Sequence, residues 1–182
     1  MASLYRGATN VVCEMSKADF SSYASLCFYK AVGEAISSGE YDDVIETVTD
    51  EAGDIAFVKT NHVKANLLMR FLSDKVYVDL SEHIAKGVTI HSGAFSGIRL
   101  LAAYGSEKQV KLLSVANVSC DMEGEYEQMG INQTRQRFYL VLRSEYTFIM
   151  PNYTSGAVVE TKYLLYDYLI VGKVPSVYLG QN

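Results

Sequence analysis

The sequence predicts an α+β domain: a long N-terminal helix and a second amphipathic helix packed on a mainly antiparallel sheet of long strands. Three observations predict it. Apolar and small residues recur every three or four positions through the first forty residues and again after Asn61, which is the helical period. From Val110 onward the period becomes two, which is the strand period. Helices come first and strands later, joined by short loops, an order that puts helices on one face of one sheet. The 182 residues are 49% apolar and 20% charged, a composition suited to one globular domain. Residues 1–182 are therefore read as one unit, with 1–39 a helix and 40–182 an α+β body.

The first helix is drawn by Ala8, Val11, Val12 and Met15, then Tyr23, Leu26, Cys27, Ala31, Ala35 and Ile36. Ser37-Ser38-Gly39 closes it, with Gly as a C-terminal stop. This helix is expected to project from the body. Val44, Ile45 and Val48 precede the acidic, Gly-containing turn 50–54, and Ile55, Phe57 and Val58 follow it, so a hairpin is expected. Asn61 stands at an N-cap position. After it, Leu68, Leu72, Val76 and Leu80 recur every four residues, flanked by Leu67 and Phe71, in a helix ending near Lys86-Gly87. Gly87, Gly93, Gly97 and Gly105 punctuate the next segment, where Ile98, Leu100 and Leu101 allow one short helical turn.

Three long strands follow. The first runs from Val110 to Glu127 with an apolar even face and Asp121, Glu123, Glu125 and Glu127 on the odd face. The second, Phe138 to Met150, is again apolar on the even side, with Arg137, Arg143 and Glu145 opposite. The third, Ala157 to Val171, places Val159, Tyr163, Leu165, Leu169 and Val171 on one face, with Glu160 and Lys162 opposite. The loops Gly130–Gln133 and Pro151–Thr154 make the three a meander.

Composition excludes several function classes. A net charge of −5 argues against electrostatic nucleic-acid binding. No apolar stretch approaches the roughly 18–20 residues needed to cross a bilayer, and the first ten residues read as neither signal peptide nor anchor. The three cysteines, Cys13, Cys27 and Cys120, have no metal or redox spacing and read as small buried hydrophobes. His62, His83 and His91 form no metal motif, so no metal and no cofactor is expected. Ser96, in Gly93-Ala94-Phe95-Ser96-Gly97, lacks a positioned base, and no catalytic residue is expected. The acidic stripe is spaced too widely for one ion and reads as a solvated strand face. Arg135, Arg137 and Arg143 could meet an anion, but cross-strand pairing with that stripe is favoured, with Arg137 opposite an acidic residue.

The segment GINQTRQR (Gly130–Arg137), the strand after it, and LIVGKVPSVYL (Leu169–Leu179) closely resemble the sporulation protein YunB family, as does the glycine-punctuated segment Gly87–Gly105. The resemblance implies synthesis in the mother cell of endospore-forming Firmicutes. It further implies an extracytoplasmic domain that a helix absent from this chain holds to a membrane. It carries over no catalytic residue, and Gln136 stands where His is common in the family.

Three functions follow as expectations. The first is a non-enzymatic envelope protein of sporulation, a membrane-proximal binding or assembly module whose partners are other envelope proteins or lipid and cell-wall components. The second is an amphiphile-binding module with an apolar groove rimmed by Tyr, of which there are 14. The third, ranked last, is a cell-wall enzyme using the Asp121–Glu127 carboxylates or the Arg135–Arg137 region. If the glycine-rich segment and the Gly130–Arg137 loop converge on one cleft, then His91, Gln133, Arg135 and Arg137 are its binding residues.

Overall fold

A computed structural model describes residues 2–171 apart from 52, 54, 112, 131, 132, 151 and 152. It bears out the α+β fold. Helix α1 spans Ala2–Ser38 and is followed by a 3-10 turn, Asp42–Val44. Strands β1 (Ile45–Thr49) and β2 (Ile55–Thr60) form the expected hairpin. Helix α2 spans His62–Lys86. The Asn61 side chain caps it, Oδ1 accepting from the Lys64 N–H at 3.2 Å, which satisfies one of the donors that a helix start leaves free. Strand β3 (Val88–His91), two 3-10 turns (Ser92–Ser96 and Arg99–Leu101) and β4 (Glu107–Val110) come next. The last three strands, β5 (Leu113–Gly130), β6 (Gln133–Met150) and β7 (Tyr153–Val171), form an antiparallel meander in the order β5-β6-β7.

One face of this meander carries both helices. Helix α2 lies over β5, and α1 lies beside α2 over β6 and β7. The buried stripe of α2 is the expected one, Leu68, Leu72, Val76 and Leu80, extended by Ala65 and Ile84. These residues meet Cys120, Phe138, Leu140, Leu142 and Tyr146 of the sheet. All three cysteines are buried thiols. Burial, reinforced by the Asp121 charge, pushes the Cys120 thiol up to about 12, so Cys120 serves as a core side chain.

Four expectations are corrected. Helix α1 does not project: Phe20, Ala24, Cys27, Phe28, Ala31, Val32 and Ala35 are buried in the main core. Phe20 packs on Tyr146 with ring centroids 4.1 Å apart, and Ser25 Oγ and Thr161 Oγ1 are 3.0 Å apart. The stripe runs through Phe20 and Phe28, so Leu26 and Ile36 face outward. Small residues hide this helix's packing on the sheet, because Ala and Cys let the backbone approach without adding hydrophobic bulk. Second, the strand expected from Val110 is two strands. β4 pairs with β3, and β5 begins a separate sheet at Leu113.

Third, β5 does not keep one parity. A register shift between Val115 and Asn117 makes Val115 face the core while Ser114 is exposed. Fourth, β7 changes parity too. β6 and β7 slip by one residue between Phe138 and Tyr139, because Phe138 pairs with Tyr166 but Tyr139 with Leu164. Beyond this bulge Tyr166 and Tyr168 face the helices, and Leu169 and Val171, expected on the core face, are about half exposed. A one-residue insertion turns every later side chain to the other face.

A helix that roofs the core predicts a specific stability pattern. Phe28→Ala should cost about 3–5 kcal/mol, the usual loss for a fully buried aromatic, whereas Leu26→Ala should fall within roughly 0.5 kcal/mol of the parent. Urea unfolding followed by circular dichroism checks both. A projecting helix would make the two substitutions equally mild.

Candidate functional site

The outer face of the meander is charged and paired with itself. Arg137 stands opposite Glu125 on β5, as the sequence predicts, and bonds Glu127 with a short contact and Glu125 at 3.7 Å. Arg135 makes a two-pronged pair with Asp167 of β7, at 2.8 and 2.5 Å. Arg143 reaches Asp121 and Glu123 on one side and Glu160 on the other, at 3.4, 3.4 and 3.1 Å. Lys162 adds a contact to Glu123 at 2.8 Å. The lattice follows from strand periodicity: acidic residues on β5 and basic residues on β6 share a face and meet across the ladder. Under it lies Val141, fully buried although it belongs to the outer face. Long paired side chains cover it with their aliphatic stems.

This arrangement separates the four predicted site residues. Arg135 and Arg137 already hold carboxylates. Gln133 is exposed at the β5–β6 turn, whose residues Ile131 and Asn132 lie outside the described ones. His91 ends β3, paired in register with Glu107. Its segment packs on Val11 and Val12 of α1, beyond Phe20 and Tyr146. Tyr146 itself stands eleven residues along β6 from Arg135, about 37 Å at the antiparallel rise. The glycine-rich segment and the Gly130–Arg137 loop therefore sit at opposite ends of the sheet and share no cleft. The stretch 172–179 of the Leu169–Leu179 motif lies outside the described residues.

Two cavities lined by described residues border the helices instead. One, of about 260 Å³, lies between the C-terminal end of α1 and β7 and is lined by Val32, Ala35, Ile36, Tyr41, Asp42, Leu68, Leu140, Leu165 and Tyr166. Burial pushes the Tyr166 phenol up from its ordinary value, with neighbouring Tyr168, Asp42 and Asp43 adding to the shift. Its hydroxyl donates to the Asp42 carbonyl at 3.4 Å, and its ring stacks on Tyr168 with centroids 5.8 Å apart. The other, about 420 Å³ and wider, opens between the start of α2 and β5, with His62, Asn66, Asp121 and Tyr126 among its walls. Buried Gln136 donates to the Tyr126 hydroxyl there at 3.0 Å.

The segment 92–105 presents a third feature. Phe95, Ile98, Leu100, Leu101 and Tyr104 are all exposed, Leu100 by 85%. The loop is built to hold that shape. The Gly93 N–H donates to the Tyr104 carbonyl at 2.9 Å, and a Cβ on Gly93 would fall 1.9 Å from the Leu101 carbonyl oxygen, a position only glycine can occupy. Arg99 grips Glu14 of α1 at 2.7 and 2.8 Å. Apolar residues are thus gathered on a fixed turn, an exposed patch of the kind that interaction surfaces carry.

The lattice predicts its own pH dependence. The bond from Lys162 holds the Glu123 carboxyl below its usual range, and the bond from Arg135 does the same for Asp167. A carboxyl depressed in the folded state stabilises the fold above its unfolded value, and that stability is lost as pH falls through the folded value. Stability should therefore decline below about pH 4. Carboxyl NMR titration should find Glu123 and Asp167 titrating below the ordinary carboxyl range, and Lys162→Met should move Glu123 upward while leaving Asp167 in place.

Among the described residues no helix is long and apolar enough to cross a membrane. A search of curated proteins and a search of solved structures each returned no match. A family model does match: that of sporulation protein YunB, over residues 87–177. The matched half includes the exposed loop, β5, β6, the described part of β7 and every arginine of the lattice. The chain belongs to the sporulation protein YunB family, and its role lies in sporulation.

Proposed function

We propose that this protein is a non-enzymatic binding and assembly module of the envelope in the sporulating cell. It works close to a membrane, to which a helix outside this chain holds it, as the family resemblance implies. The observation that carries the reading is the exposed apolar loop 95–104, lying within the matched family segment. Leu100 and its neighbours are held out on glycine-shaped turns and braced to α1 by Arg99, at a cost in exposed apolar surface that only a contact offsets. The mother cell and its envelope supply the setting, and other envelope proteins or lipid and cell-wall components are the partners. The charged outer face fits this role. Its cations are engaged within the sheet, and the loop offers an adhesive surface held in a fixed shape.

An amphiphile-binding module is a second reading, favoured by the 260 Å³ cavity with Tyr41 and Tyr166 in its wall. Tyrosines offer an apolar ring and a polar tip, the combination that suits the rim of such a site.

Replacing Leu100 and Leu101 together by Ser should leave the circular dichroism and melting temperature of the purified protein unchanged, because both side chains are exposed. In the sporulating cell the same change should lower the yield of heat-resistant spores at least tenfold. Normal spore yield would refute the loop's role. Release of soluble fragments from peptidoglycan or lipid by the purified protein would refute the non-enzymatic reading.

A further inference from the structure

The lining of the 260 Å³ cavity is part aliphatic and part polar. The aliphatic part includes Val32 and Ala35 from α1, Leu68 from α2, Leu140 from β6 and Leu165 from β7. Tyr41, Asp42 and Tyr166 join the lining from the turn after α1 and from the bulge of β7. The two aspartates of that turn are not equivalent. Asp43 is neutralised by Lys64, whose ammonium lies 2.7 Å away. Asp42 has no cationic partner among the described residues, and it is the one acidic residue that lines the cavity. Glu40 stands two residues before it, also exposed. An unneutralised carboxylate beside two phenol rings attracts a cation and repels an anion, since aromatic faces also favour positive charge.

We propose that this cavity takes the alkyl chain of a cationic amphiphile, with its ammonium head against the Asp42 carboxylate beside Tyr41 and Tyr166. The inference rests on the amphiphile-binding reading and adds the charge of the head group to it. The size is consistent: the volume falls just short of the roughly 300–1,000 Å³ of ordinary small-molecule sites, which suits one short chain and not a paired-chain lipid. The Coulomb term decides between heads. An ammonium at contact distance from Asp42 gains attraction, a hydroxyl gains at most one hydrogen bond, and a carboxylate meets Asp42 and Glu40 with like charge. Tyr41 and Tyr166 keep their protons near neutral pH, since burial raises both phenols, so neither ring contributes a negative charge of its own.

Three eight-carbon probes separate the two layers of the argument: octylamine (as the ammonium ion at pH 7), 1-octanol and octanoate, each below the concentration at which it self-associates. Calorimetry measures affinity, and NMR shifts at Ala35, Leu140 and Leu165 locate the site. Octylammonium should bind at least tenfold more tightly than octanoate, with octanol between them. Asp42→Asn, a change at an exposed turn, should reduce that preference to less than threefold without altering octanol affinity. Equal affinities for the three probes, or a preference that survives Asp42→Asn, would overturn the ammonium assignment while leaving an apolar site in place. Absence of binding by all three would overturn the amphiphile reading itself.

Discussion

The fold rests on one constraint: a three-stranded sheet of 18- and 19-residue strands cannot stand alone in water. A meander this long exposes an apolar face along its whole length, and three strands have no second sheet to cover it. Two helices supply the cover. Helix α2 roofs β5 with a regular leucine and valine stripe. Helix α1 roofs β6 and β7 with a stripe of small residues set around two phenylalanines. Packing of Phe20 on Tyr146 and of Val32 near Leu140 sets α1 running back along β6. That direction in turn decides which ends of the molecule each functional feature occupies.

The opposite face is solved differently. Among the described residues no layer covers it, and Val141 is nevertheless fully buried there. The ion pairs are the cover. Arg143 spans three carboxylates on two neighbouring strands, so one side chain ties β5, β6 and β7 together. Pairs this exposed add little to stability individually. Their joint effect is on register and on association. They hold the strands in one alignment, and they present an edge-to-edge mixture of charge that discourages stacking with another sheet.

Periodicity made both helices, the hairpin and the three long strands legible, because each is a repeated signal over many residues. The N-cap at Asn61 and the pairing of Arg137 with Glu125 were legible for the same reason: each follows from position within a regular element. The misreadings lie where regularity breaks. The β3–β4 pair is closed across fifteen residues of turns, so neither strand announces its partner. Bulges leave no composition signature, and the even-odd count therefore failed before Asn117 in β5 and beyond Leu165 in β7. The site fared worse than the fold. His91, Gln133, Arg135 and Arg137 were grouped by motif, but motifs say nothing of distance, and the sheet sets them at its two ends.

The missed bulge is also what shapes the cavity. In an unbroken strand Leu165 and Tyr166 would point to opposite faces. The extra residue between the pairs Phe138–Tyr166 and Tyr139–Leu164 turns both toward the helices. Leu165 then joins the aliphatic lining, and Tyr166 reaches the turn after α1, where its hydroxyl meets the backbone of Asp42. Tyr168 follows on the same side and stacks against it. Beyond the bulge the displaced aliphatics Leu169 and Val171 are turned out to the surface. That exposure is a cost a simple structural strand avoids, and an irregularity that turns two adjacent side chains into one cavity wall gives it a purpose. Bulges of this kind re-aim side chains beside binding sites. The local geometry thus places the candidate ligand site at the break in the pattern, where the chain gives up regular alternation to bring Leu165, Tyr166 and Asp42 into one wall.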